Sequence, residues 1–146
     1  QMSDPVQSEI SSMGVHDALV GIMILSSMSD GEVRASELEV IASVIDHFPI
    51  FANYDLSNIR RVFIYIEGFL STADGLKRFL IFVRGVLPPK VHETAYLIAC
   101  EVVVADGKLK QSELRLLEEI AYHLELDPLH VAAIERSVRA RYINLP

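Results

Sequence analysis

Two stretches carry the residue types that could do chemistry. Asp30-Gly31-Glu32-Val33-Arg34-Ala35-Ser36-Glu37 and Asp106-Gly107-Lys108-Leu109-Lys110-Gln111-Ser112-Glu113 share one pattern: Asp-Gly, an apolar residue two places on, and Glu six places after the glycine. Hard divalent cations take carboxylate and carbonyl oxygens, so Asp30, Glu37, Asp106 and Glu113 are the candidate ligands for Ca2+ or Mg2+. The spacing is not that of an EF-hand, which needs acidic or amide residues at alternate positions ahead of its glycine. The first stretch has the better charge for a cation, because Glu32 stands beside Asp30, whereas Lys108 and Lys110 oppose one in the second.

The same residues also make sense without a metal. A glycine can close a helix, an aspartate can accept turn N–H groups, and Val33 and Leu109 can pack inward as a hydrophobic staple. Glu37 and Glu113 then fall in the first turn of the next helix, where a carboxylate suits the positive end of the dipole. A capping box would want Ser or Thr three places before each Glu. Arg34 and Lys110 stand there instead, so these carboxylates are expected to be less committed to capping.

Other reactive side chains are isolated. Glu101 has Leu97, Ile98, Val104 and Ala105 as its helical neighbours, so it needs a basic partner from another helix or a place at a helix edge. His16 and His92 hold matching places near helix starts, and His47 and His123 near helix ends, where the dipole favours them; a shared metal site would need the fold to gather them. His92-Glu93-Thr94-Ala95-Tyr96 lacks the second histidine of a zinc-protease helix. Cys100, the only cysteine, excludes an internal disulfide and a thiolate cluster and reads as inert core. Paired carboxylates alone do not make a hydrolase, since no nucleophile or phosphate-binding loop accompanies them.

The elements that must position these residues follow from an internal repeat. The two stretches are 76 residues apart, and the same offset places Val15-His16 on Val91-His92 and His47 on His123. Such self-similarity predicts two copies of a helix–turn–helix unit, at 15–48 and 91–124, within a single domain spanning 2–146. Gln1, ahead of Met2, is set aside as a tag remnant. Asp4-Pro5 predicts a short first helix ending at Gly14. In the first unit Leu19, Ile22, Met23 and Ser26 share one helical face, and Leu38, Ile41, Ala42 and Ile45 another. Between the units, Asp55 or Ser57 caps a third helix and Ser71 or Thr72 a fourth; Ala73-Asp74-Gly75 is a helix start and not a third copy of the turn. Pro88-Pro89 and Asp127-Pro128 open the last elements. No alternating apolar strand occurs, so the fold class is all-α.

Composition agrees. Of 146 residues 51% are hydrophobic and 23% charged, a globular balance. The net charge of −7 is unevenly spread. Residues 56–90 hold six basic against two acidic residues, while 15–48 hold one against six. One negative and one positive surface are expected. Nucleic acid is a poor partner for so few basic residues without an aromatic–glycine motif. No signal peptide follows Met2, and the reducing cytoplasm is the expected compartment.

Ala105-Asp106-Gly107-Lys108-Leu109, Glu113, Leu116-Leu117 and Leu126-Asp127-Pro128, echoed by Asp30-Gly31-Glu32-Val33 and Glu37, resemble the TerB-like family of tellurite-resistance-associated helical proteins. The resemblance covers 15–140. It implies about seven helices with pseudo-twofold symmetry, the duplicated units flanking a central helical pair, and a metal site formed by acids of the two turns. It also implies a non-enzymatic role in tellurite resistance or stress response, within complexes at the inner face of the membrane. Partners are then proteins, membrane-associated ones among them, with a homodimer left open. The alternative is a metal-free interaction module whose basic central helices meet an acidic partner or anionic lipid heads.

Overall fold

The computed structural model describes residues 13–28, 32–105, 107 and 109–146. The expected first helix, apart from its last residue, and the acids Asp30 and Asp106 lie outside the described residues. Within them the chain forms seven α-helices: α1 Val15–Ser27, α2 Ala35–His47, α3 Ile59–Leu70, α4 Gly75–Val86, α5 His92–Ala105, α6 Gln111–His123 and α7 Pro128–Arg141. Single 3-10 turns at Pro49–Phe51, Leu56–Asn58 and Pro89–Val91 lead into later elements, and no strand occurs among the described residues.

The core is built around α1 and α5, which pack on each other. Every residue of α1 from Asp17 to Ser27 is buried, and so is most of α5. The sequence pattern pointed to one apolar face on α1. The structure instead covers it on all sides, with α2, α3, α4, α5 and α6 against it. A helix apolar all round has to be buried all round, and Asp17 is the only carboxylate in α1. The outer helices are arranged in matching pairs. α3 lies on α1 as α7 lies on α5, and α6 reaches across to α1 as α2 reaches across to α5. The helices α3 and α4, central in the chain, form a hairpin on α1, and α4 also touches α6 through an Arg84–Glu125 ion pair of 2.8 Å.

Several expected boundaries hold. Asp127 accepts the Leu129 N–H at 2.8 Å and opens α7 at Pro128. Asp55 accepts the Ser57 N–H at 2.9 Å, which holds its carboxyl below the usual range, and caps the 3-10 turn that runs into α3. Ser71 and Thr72 do not cap α4. Their hydroxyls donate backwards, to Gly68 O at 2.8 Å and Phe69 O at 2.7 Å, so they close α3. Asp74, with φ 57°, makes the sharp entry to α4 without a side-chain cap. The hairpin is so tight that a Cβ on Gly75 would lie 1.9 Å from Phe69 O.

Glycine substitutions in α4 should therefore have opposite signs. Gly75→Ala must push backbone against backbone, and a loss of about 2–4 kcal/mol is expected in urea unfolding. Gly85, mid-helix with open space around it, should gain about 0.5–1 kcal/mol as Gly85→Ala.

Candidate functional site

The two helix starts that follow the Asp-Gly turns have one local conformation. Arg34 is extended at φ −75°, ψ 160°, and Lys110 at φ −86°, ψ 152°. Each carbonyl takes two amides, Glu37 and Leu38 on Arg34 at 3.0 Å, Glu113 and Leu114 on Lys110 at 3.1 Å. Gly107 has φ 75° and its N–H reaches Val104 O at 2.9 Å, the left-handed closure expected of that glycine.

Folding brings these starts together. Ser26, Ser27, Met28, Arg34 and Glu37 from the first unit and Val102, Lys110, Ser112 and Glu113 from the second line one cavity of about 30 Å3, room for about one water. Two of the four candidate ligands, Glu37 and Glu113, thus share a site; the other two, Asp30 and Asp106, lie outside the described residues. Carboxylate and hydroxyl oxygens are donors that Ca2+ and Mg2+ accept and soft metals do not favour. Arg34 and Lys110 bring positive charge to the same place. Among the described residues no three His, Cys, Asp or Glu side chains cluster as a metal site.

One expectation about Glu37 is corrected. Its Oε2 accepts the Arg34 N–H at 2.9 Å, so it does cap its helix. A guanidinium has no acceptor with which to return the bond, but the half of a capping box made by Glu needs only the backbone of the residue before it. Leu109 is also corrected: it stands 53% exposed, while Val33 packs half-buried on the core. Nothing in the structure explains why Leu109 stays outside.

The histidines are not gathered. His16 Nε2 lies 2.6 Å from Ile50 O, His92 Nε2 3.0 Å from Leu87 O, and His47 Nδ1 2.7 Å from Ser43 O, while His123 sits 3.4 Å from Glu119. Each answers a local polar group.

Glu101 finds the basic partner that the sequence required. It is 2% exposed; Arg141 Nε lies 2.9 Å from Oε1, and the Tyr142 hydroxyl donates to Oε2 at 2.5 Å. Both partners come from the end of α7, 40 residues away in the chain, where no local signal could name them. A second buried carboxylate was missed. Asp17, in the first turn of α1, accepts from Arg61 Nη2 of α3 at 3.0 Å. The hydroxyl of Tyr54 is buried nearby with no hydrogen-bond partner among the described residues, and burial together with Asp17 pushes it up to about 12. An aspartate two places into an all-apolar helix was the available signal for this pair. Cys100 is core as expected, its thiol pushed up to about 12 by burial.

An all-helical fold whose two acidic helix starts meet across a central helix pair defines the class: a TerB-type helical domain. A match to the family described as Tellurite resistance protein TerB covers residues 16–136, and the chain belongs to that family. No curated protein and no solved structure gave a significant match. Among the described residues no helix is long and apolar enough to cross a membrane.

Two outcomes follow for the buried groups. Arg141→Ala and Tyr142→Phe should each cost about 1–3 kcal/mol in urea unfolding, because each leaves a buried carboxylate short of a partner. Glu101→Leu, which installs the residue found at the matching place in α1, should cost less than Arg141→Ala. Cys100 should resist iodoacetamide at pH 8 in the native protein and react once denaturant unfolds it, as mass spectrometry would record.

Proposed function

We propose that this TerB-family chain is a non-enzymatic binding module of tellurite resistance or a stress response, working in the cytoplasm or at the inner face of the membrane, with a divalent cation held between its two acidic elbows. In this reading residues 2–146 are one domain, and the units at 15–48 and 91–124 descend from one duplicated hairpin. Glu37 and Glu113 supply two carboxylates, Asp30 and Asp106 the others, and Ca2+ or Mg2+ is the ion that such an oxygen set suits. The carrying observation is that Glu37 and Glu113, 76 residues apart, line the same small cavity beside their matched neighbours Arg34 and Lys110. The paired helix contacts support the duplication. The binding role is supported by the state of the one cysteine, buried and protonated and so unfit as a nucleophile.

A second reading, a metal-free interaction module, is favoured by one observation. Glu37 is already engaged by the Arg34 amide, and two basic side chains line the cavity.

Calorimetric titration with Ca2+, Mg2+, Mn2+ and Zn2+ separates them. The proposal expects saturable heat with Ca2+ or Mg2+. At about 100 times Kd the ion should add about 2.7 kcal/mol of stability, a rise of several degrees in Tm. Glu113→Gln and Asp30→Ala should each reduce the response. Silence with all four ions, in the native chain and in Asp30→Ala alike, would leave the metal-free module.

A further inference from the structure

The matched halves differ at one place. In the first half Phe51, 2% exposed, has its ring 5.8 Å from His16 and 5.8 Å from Tyr54, and these rings line the cleft beside α2. The 76-residue offset puts Asp127 and His130 at the places of Phe51 and Tyr54. Asp127 is spent on capping α7, and His130 sits 3.6 Å from Glu93 with half its side chain exposed. The second half therefore has no aromatic filling, and a trough of about 410 Å3 lies between α6 and α7.

The floor of the trough is apolar, with Tyr96, Leu114, Leu117 and Val131, and its walls carry Glu118 and Glu135. Tyr122 lines it while 76% exposed, and Leu129 at the start of α7 is 77% exposed. Large apolar side chains standing out together beside a groove are the usual sign of a docking surface. Glu118 has no ion pair among the described residues, whereas Glu119 and Glu125 are paired with His123 and Arg84.

We infer that the α6–α7 trough docks a basic amphipathic helix of a protein partner. Its apolar stripe, with an aromatic residue, takes the place that Phe51 and Tyr54 fill in the first half, and Lys or Arg on its flanks meets Glu118 and Glu135. Charge selects this occupant. In a symmetric dimer the same acids would face their own copies, and an anionic lipid surface would be repelled. The inference rests on reading the chain as a partner-binding module with matched halves; it does not depend on the cation.

The probe is a fluorescein-labelled, hydrocarbon-stapled helix of about 16 residues, long enough for four turns, with Phe and Leu at three- and four-residue spacing and lysines on both flanks. A twin carries glutamate for each lysine. Anisotropy should show saturable binding of the basic helix, at least about tenfold tighter than the twin, weakening as salt rises from about 50 to about 500 mM. Tyr122→Lys and Glu118→Lys, both at exposed sites and checked for native circular dichroism, should each weaken it about tenfold or more. No binding at about 1 mM peptide, equal binding of both peptides, or unchanged binding by both variants overturns the inference. So does sedimentation showing a dimer that Tyr122→Lys dissolves, which would give the face to a second copy. Cation titration of Tyr122→Lys keeps the two questions apart, since its response belongs to the elbows alone.

Discussion

The burial of α1 against α5 is the constraint from which the other arrangements follow. Two helices of 13 and 14 residues with almost no surface polarity cannot lie at an exterior, so every remaining helix is placed by the need to cover them. Covering from both sides yields the cross-packing in which α2 lies on α5 and α6 on α1. That crossing also delivers the acidic helix starts to one spot, because α2 and α6 begin just beyond the ends of the buried pair. The cavity between Glu37 and Glu113 is thus a consequence of how the core is wrapped.

A core made this way tolerates charge only where an outer helix brings a partner. Asp17 and Glu101 are the two carboxylates inside it, and each is met by an arginine from the helix packed on its own: Arg61 from α3, Arg141 from α7. Unpaired, either would cost several kcal/mol, on the order of a large part of a domain's stability. The pairs also set how α3 and α7 sit, since an apolar contact would allow sliding that a buried carboxylate does not. Tyr142, donating to Glu101, extends this restraint past the end of α7.

Charge divides the surface in a related way. The acidic helices α2 and α6 and the basic α4 are neighbours in part, and Arg84 with Glu125 joins α4 to the end of α6. The halves are alike in the core and unlike outside it. Aromatic rings line the cleft beside α2, while the matching trough beside α6 keeps Tyr122 and Leu114 in contact with water. Differences of this kind carry little penalty in the core and change what the surface can hold.

The helices, their order and most of their ends were legible in the sequence, because they depend on local chemistry: apolar periodicity, Asp127 before Pro128, glycine after the last turn. The 76-residue offset pointed to the matching of α2 with α6, whose bounds coincide under it. Even the need of Glu101 for a distant base could be deduced, since burial of a lone carboxylate demands one. Which base it was could not, nor that Asp17 would meet Arg61, that Ser71 and Thr72 would serve the helix behind them, or that Leu109 would face water. Those depend on which helices touch and at what register. The sequence by itself thus determined the elements and the two acidic elbows, through interactions reaching only a few residues along the chain. Only the tertiary structure decided that Glu37 and Glu113 line one cavity and that Glu101 pairs with Arg141, because burial of α1 and α5 acts between segments far apart in the chain.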